Sequence, residues 1–170
     1  MPLSGDDWSA IANTLARYCH TVDFGDARGW AECFTEDGLF EESMFDRGVV
    51  TRLRGRKEME DFVAAAHRLM PHVVFARHNV SNQLIEGDGD RATAVSFVTF
   101  INTFDGSAIV TAVYRDRLRK VGGRWLFEHR EAAIDQTEAI AAARMNKLAA
   151  DAAAAGKPHA SGVGAFSSGK

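Results

Sequence analysis

The sequence predicts one α+β domain in which helices pack on one face of a strongly curved, mixed or antiparallel sheet and enclose a cone-shaped pocket. Three observations predict it. Apolar residues recur at helical spacing over the first third of the chain and in strand-like runs from 74 to 134. Those runs are separated by short Gly- and Asp-rich segments of hairpin composition. A chain of 170 residues, 46% of them hydrophobic, has the material for one core and little room for a second catalytic domain.

The first helix follows from Trp8, Ile11, Leu15, Tyr18, Cys19 and Val22, with Ser4, Asp6 or Asp7 available as its cap. Gly25 interrupts it. Asp26 can cap a second helix whose apolar side is Trp30, Cys33 and Phe34, ahead of a turn at Asp37-Gly38. Short strands are expected at Leu39 to Met44 and Val49 to Leu53. A third helix carries Met59, Phe62, Val63, Ala66 and Leu69 on one side, and Pro71 ends it. Four long strands follow at about 74–86, 91–104, 108–120 and 124–134. Asp135 and Glu138 form a capping-box-like start to an alanine-rich helix over 135–155, stopped by Gly156. The expected domain is therefore 1–155, followed by a Gly/Ser/Ala tail over 156–170 too poor in apolar residues to order itself.

The charge balance excludes several functions. Twenty Lys+Arg against 23 Asp+Glu leave a net charge of −3, far from the basic excess of a nucleic-acid or anionic-membrane binder. No apolar run reaches the ~18 residues of a membrane span, and the acidic start lacks the pattern of a secretory signal. Cys19 and Cys33 sit inside apolar helical patterns and read as reduced core thiols, which fits the cytoplasm. The histidines His20, His67, His72, His78, His129 and His159 lack metal-ligand spacing, so no metal is expected. Neither a phosphate-binding glycine loop, a dinucleotide fingerprint nor a Gly-x-Ser-x-Gly elbow occurs, so no cofactor and no acyl-enzyme is expected.

Chemistry must then come from polar residues at apolar positions. On the first long strand His78 and Asn82 share the more apolar side with Val74, Ala76, Val80 and Leu84. A buried imidazole oriented by a carboxylate makes a general base; the plainer reading is a core histidine bonded to a backbone carbonyl. Asp23, one turn after Cys19 at the awkward carboxyl end of the helix dipole, is the candidate partner, or else a solvated turn aspartate. Tyr18, on the other margin of that stripe, either presents its hydroxyl to the pocket or simply packs. Arg130 alternates with Leu126, Glu128, Ala132 and Ile134; it points inward to stabilise an anion, or else pairs with Glu128 or Glu131 at the surface. Asn102 is a further polar lining residue or a hairpin-flanking asparagine.

These residues resemble a known family, the SnoaL-like branch of the nuclear transport factor 2 superfamily, which includes scytalone dehydratase, bile-acid dehydratase and hexachlorocyclohexane dehydrochlorinase. The likeness spans about residues 7–135. It rests on the segment from Leu15 through Tyr18 and Asp23 to Asp26, on Trp30 to Phe34 with Asp37-Gly38, on Arg77-His78-Asn79-Val80-Ser81-Asn82 and on Gly123-Arg124-Trp125-Leu126-Phe127. The resemblance implies a cone-shaped α+β barrel, frequently oligomeric, hence a homodimer or homotrimer. It implies a dyad of His78 and Asp23 that removes a proton from carbon, with Tyr18 and Arg130 as helpers; Asn82 and Asn102, from their strand positions alone, are the expected substrate-binding residues. The expected activity is a cofactor-free lyase or isomerase acting on a small, largely apolar cyclic substrate. The same fold also serves as the small subunit of aromatic-ring dioxygenases, so a non-catalytic ligand-binding or assembly role is the alternative.

Overall fold

The structure, a computed structural model, describes residues 1–156. Helix α1 spans Gly5–Asp23 and begins in a reciprocal capping box: the Ser4 hydroxyl accepts from the Asp7 N–H, and the Asp7 carboxylate accepts from the Ser4 N–H. Asp26 caps α2 (Ala27–Ala31) through the Gly29 N–H, as the sequence predicts. Strands β1 (Phe34–Met44) and β2 (Gly48–Arg54) form a hairpin, α3 spans Gly55–Leu69, and one 3-10 turn over Pro71–Phe75 leads into the long strands. These are β3 (Ala76–Asp88), β4 (Arg91–Asn102), β5 (Ala108–Val121) and β6 (Arg124–Ile134). Helix α4 covers Glu138–Ala155.

All six strands join one sheet in the order β2-β1-β6-β5-β4-β3. Every pairing is antiparallel except β1 with β6, so the sheet is mixed, and it remains open at β2 and β3 while the helices cover its concave face. The main core lies between α1, α2, α3 and that face: Ile11, Leu15, Tyr18, Trp30, Phe34, Met59, Val63, Tyr114 and Phe127 are all buried. Cys19 and Cys33 are free, buried thiols in this core, and burial pushes them up to about 12 and about 11. A smaller cluster of Ala76, Ile109 and Leu148 seats α4 against the start of β3 and β5. Among the described residues no helix is long and apolar enough to cross a membrane.

Three local expectations are corrected. Asp37-Gly38 is not a turn; it lies inside β1, where the register with β6 slips between Phe34 and Leu39. The cap of α4 is Thr137, whose hydroxyl accepts from the Ile140 N–H, so the helix starts at Glu138 rather than at 135. The expected tail lies outside the described residues apart from Gly156, whose φ of 73° ends α4 in the left-handed region that glycine tolerates best. The third-helix and long-strand expectations agree with the structure to within about two residues at each end.

The deviation with most effect on function is a bulge in β3. The register with β4 slips between Ser81 and Leu84, and Asn82 takes φ 51°, the left-handed conformation. Because side chains alternate, the slip exchanges faces: Val80 and Ile85 pack on the core while Leu84 turns out to 60% exposure. A β-branched side chain at 82 meets the steric cost of that conformation, so Asn82→Val should destabilise the fold by about 1–2 kcal/mol, whereas Asn82→Gly should be nearly neutral. Urea denaturation of the two variants checks this, and equal midpoints would remove the bulge from the explanation of the strand.

Candidate active site

Helix α1 ends at Asp23 and β3 begins two residues before His78, and the carboxylate joins the two elements at two points. Asp23 Oδ2 accepts from the His78 backbone N–H at 3.0 Å, and Oδ1 is in hydrogen-bond contact with His78 Nδ1. The second contact selects the tautomer: with the Nδ1 proton directed at the carboxylate, Nε2 carries the basic lone pair. Among the described residues nothing hydrogen-bonds Nε2. The Asp23 side chain is 4% exposed and the His78 side chain 18%, so the orienting group is sealed while the ring keeps one accessible edge. Phe100, directly opposite on β4, holds the other side of the ring at 4.4 Å between centroids. The geometry is that of a general base with a fixed orientation.

Arg130 points inward and is fully buried, but its partner is neither of the glutamates the sequence offered. Nε and Nη2 donate to the two carboxylate oxygens of Asp116 on β5, both at 2.7 Å. Glu128 is taken by Arg91 and Arg119, and Glu131 by Arg115. The side of β6 shared with Arg130 also differs from the expected one, because a register slip between Arg117 and Leu118 brings in Phe127 rather than Glu128. The guanidinium lies 4.1 Å from the Tyr18 ring centroid, 4.2 Å from Tyr114 and 4.0 Å from Phe127. Burial works against this charge, yet the Asp116 carboxylate and its two hydrogen bonds outweigh burial and hold the group above the usual guanidinium range. One donor, Nη1, is buried with no partner among the described residues.

Tyr18 is 3% exposed and packs on Trp30, Phe34, Tyr114 and Phe127. Burial raises its hydroxyl far above the ordinary tyrosine value, which makes it a poor proton donor although it remains able to donate a hydrogen bond. The two asparagines are placed elsewhere. Asn82 is exposed at the β3 bulge and does not share the His78 face. Asn102 is buried, but its amide donates to Asp151 of α4 at 2.7 Å and its oxygen accepts from the Phe104 N–H. It fastens the last helix and the β4–β5 turn.

Asp116 and Glu42 are the residues that sequence reasoning missed. Asp116 follows Ala112 and Tyr114 at two-residue spacing on β5, an acid on an apolar side, disguised by flanking Arg115 and Arg117. Glu42 follows Phe40 at the same spacing on β1, and Phe40 packs on Trp30 beneath the helices. Burial raises the Glu42 carboxyl from its ordinary 4.5, a shift that the positive charge of His78 and the neighbouring Thr51 partly oppose. Among the described residues no group of three His, Cys, Asp or Glu is arranged to hold a metal.

Comparison with known proteins follows the same outline. The model of a SnoaL-like domain matches residues 5–131. No curated protein matches the chain. A Mycobacterium tuberculosis protein of unknown function is 30% identical, with 86% of this chain and 88% of that one covered at a TM-score of 0.64. Two structures from Novosphingobium aromaticivorans share the fold, each covering 76% of this chain at a TM-score of 0.61. One is a candidate scytalone dehydratase, 20% identical over 84% of its length. The other is the beta subunit of a candidate aromatic-ring-hydroxylating dioxygenase, 23% identical over 90% of its length.

Two stability predictions follow from the buried charges. Asp116→Ala leaves Arg130 buried without its partner and should cost about 3–5 kcal/mol in urea denaturation; replacing the pair together as Asp116→Leu with Arg130→Met should cost clearly less. For Glu42 the folded protein retains the proton to higher pH than the unfolded chain. Its contribution is fully present below about 4.5 and is lost as pH rises through the raised folded value. Glu42→Gln removes that loss, so it should gain midpoint over the wild type at pH 8 and little at pH 4; an equal effect at both would contradict burial as the cause.

Proposed function

Because the chain belongs to the SnoaL-like domain family, we propose that it is a cofactor-independent lyase or isomerase in which His78 takes a proton from carbon. The observation that supports this most is the two-point contact of Asp23 with His78, which leaves Nε2 as the one unengaged nitrogen of an oriented ring. Neutral His78 accepts the proton at Nε2. Asp23 then faces the imidazolium across the Nδ1 hydrogen bond and stabilises it without itself touching the substrate. The buried Arg130 charge, with Nη1 unengaged, lowers the energy of negative charge that develops on the substrate. Phe100 lies against the ring at 4.4 Å between centroids and Val80, two residues on, packs on the apolar core, which favours a small, largely apolar, cyclic substrate.

The beta subunit of a candidate aromatic-ring-hydroxylating dioxygenase shares this fold, and a non-catalytic ligand-binding or assembly role is the second reading. Such a role places no constraint on Asp23 and His78, whereas here both oxygens of the carboxylate engage the histidine.

The test needs no natural substrate. In the ring-opening elimination of 5-nitrobenzisoxazole, a base removes the carbon-bound proton, the N–O bond breaks, and a coloured cyanophenolate leaves. His78→Ala should lower this rate by about 10²–10⁴ while keeping the wild-type circular dichroism, the range a general base contributes. Asp23→Asn, which spoils the orienting contact, should lower it at least about tenfold. A wild type no faster than His78→Ala would overturn the proposal.

A further inference from the structure

Helix α1 carries a second stripe beside its apolar one. Ala10, Asn13, Thr14 and Arg17 recur at the three- and four-residue spacing of one helix face, rotated away from the buried Ile11, Leu15 and Tyr18. The Thr14 hydroxyl donates to the Trp125 carbonyl at 2.8 Å and so lays this stripe along the start of β6. Between the two elements is a cleft of about 160 Å³. The α1 stripe forms one wall, Gly123 and Arg124 form the other, and the buried Cys33 and Trp125 lie at its base. Among the described residues no acid lines it.

Two arginines from different elements thus share one opening. Arg124 is set by paired backbone rather than by a loose loop: Gly122-Gly123 make a two-residue turn with φ 57° and 79°, and Val121 pairs with Arg124 across it. Neither Arg17 nor Arg124 has a carboxylate partner among the described residues, and the bond from Arg124 Nη2 to the Glu32 carbonyl is long at 3.4 Å. Carboxylates on the adjoining segments are engaged elsewhere, Glu32 by Arg28 and Asp7 by Lys120 and the Trp125 indole. The Cys33 thiol registers both cleft charges: burial raises it, and Arg130, Arg17 and Arg124 each oppose the rise.

We propose that this cleft binds a phosphate monoester, a small organic dianion whose phosphoryl oxygens lie between the guanidinium groups of Arg17 and Arg124 and whose substituent occupies the rest of the cleft. Two cations that face one opening repel each other, and a ligand with two negative charges offsets both. Their planar forks present paired N–H donors to its oxygens, and the Asn13 amide adds a donor at the rim. A monocarboxylate would leave one cation uncompensated. The site is separate from the candidate active site, since none of its residues takes part in the contact of Asp23 with His78.

The probe is methyl phosphate, with sulfate as the comparison anion, titrated into the full chain and followed by its NMR signals. At pH 8 methyl phosphate should shift the signals of Gly123 and Arg124 saturably. Arg17→Gln and Arg124→Gln should each weaken binding about tenfold or more, the effect of losing a hydrogen bond to a charged group. Both residues are exposed, so these variants should keep the wild-type circular dichroism. Arg28→Gln, outside the cleft, should bind as the wild type does. Methyl phosphate becomes a monoanion below about pH 6 whereas sulfate stays a dianion, so the affinity of methyl phosphate relative to sulfate should fall about tenfold at pH 5. Titration of the protein itself cancels in that ratio. Signals that do not saturate, or an equal loss in Arg28→Gln, overturn the site. Sulfate binding without methyl phosphate binding overturns the monoester, and an unchanged ratio at pH 5 overturns the need for two charges.

Discussion

Asp23 occupies a position that its own helix opposes. A carboxylate at the carboxyl end of an α-helix faces the negative pole of the dipole, at a cost of about 0.3–1 kcal/mol. Two hydrogen bonds from His78 meet it there, and bonds to a charged group contribute about 1.5–3 kcal/mol each. The second effect wins, and its consequence is architectural as well as chemical. The end of α1 is tied to the start of β3, so the orientation of the imidazole depends on the seating of the helix rather than on a loop. The apolar stripe of α1, from Ile11 to Cys19, thereby helps to position the ring.

The same helix lies over the second buried charge. Arg130 is satisfied by Asp116 on the neighbouring strand and enclosed by three aromatic faces. A pair of this kind contributes little net stability against an apolar core of equal volume, because desolvation of both ions offsets their attraction. Its retention is better explained by what it does to the interior. A fixed positive charge beside Tyr18 and Tyr114 sets the potential of a region from which water is excluded, where a charge acts further than it would in water. Locked as it is, the guanidinium can stabilise an anion but cannot move a proton.

Much of this was legible in the sequence, and the failures have one physical form. Helix faces survive small errors because a stripe is wide; Trp8, Ile11, Leu15 and Tyr18 place α1 whether or not its cap is assigned to Ser4. Strand faces do not, since one slipped residue exchanges inside for outside. Period-two reading carried Asn82 onto the His78 face and Glu128 beside Arg130, and in both cases the misplaced residue is itself one that a bulge leaves without a register partner. His78 escaped this error because it precedes the bulge. Asp116 and Glu42 were hidden differently, each next to a residue of ordinary surface character, and the test already applied to His78, a polar residue on an apolar side, would have found both. The pairing of Asp23 with His78 was not available from spacing at all, since 55 positions separate them; the family resemblance supplied it.

Asp23 and Glu42, two carboxyls turned toward the interior, stand in opposite surroundings. Asp23 is sealed at 4% exposure with both oxygens engaged as acceptors, so it can orient and stabilise but has no path to a substrate. Glu42 meets only Thr51 of β2, and burial still shifts it toward the neutral form. Register also decides where charges go. In β6 the bulge at Glu128 lets Arg130 share the interior with Phe127, while His129 and Glu128 meet their partners on the outer surface. Irregular register is therefore part of the core's construction, since it admits the Arg130 charge to an apolar interior and sends the neighbouring charges outward.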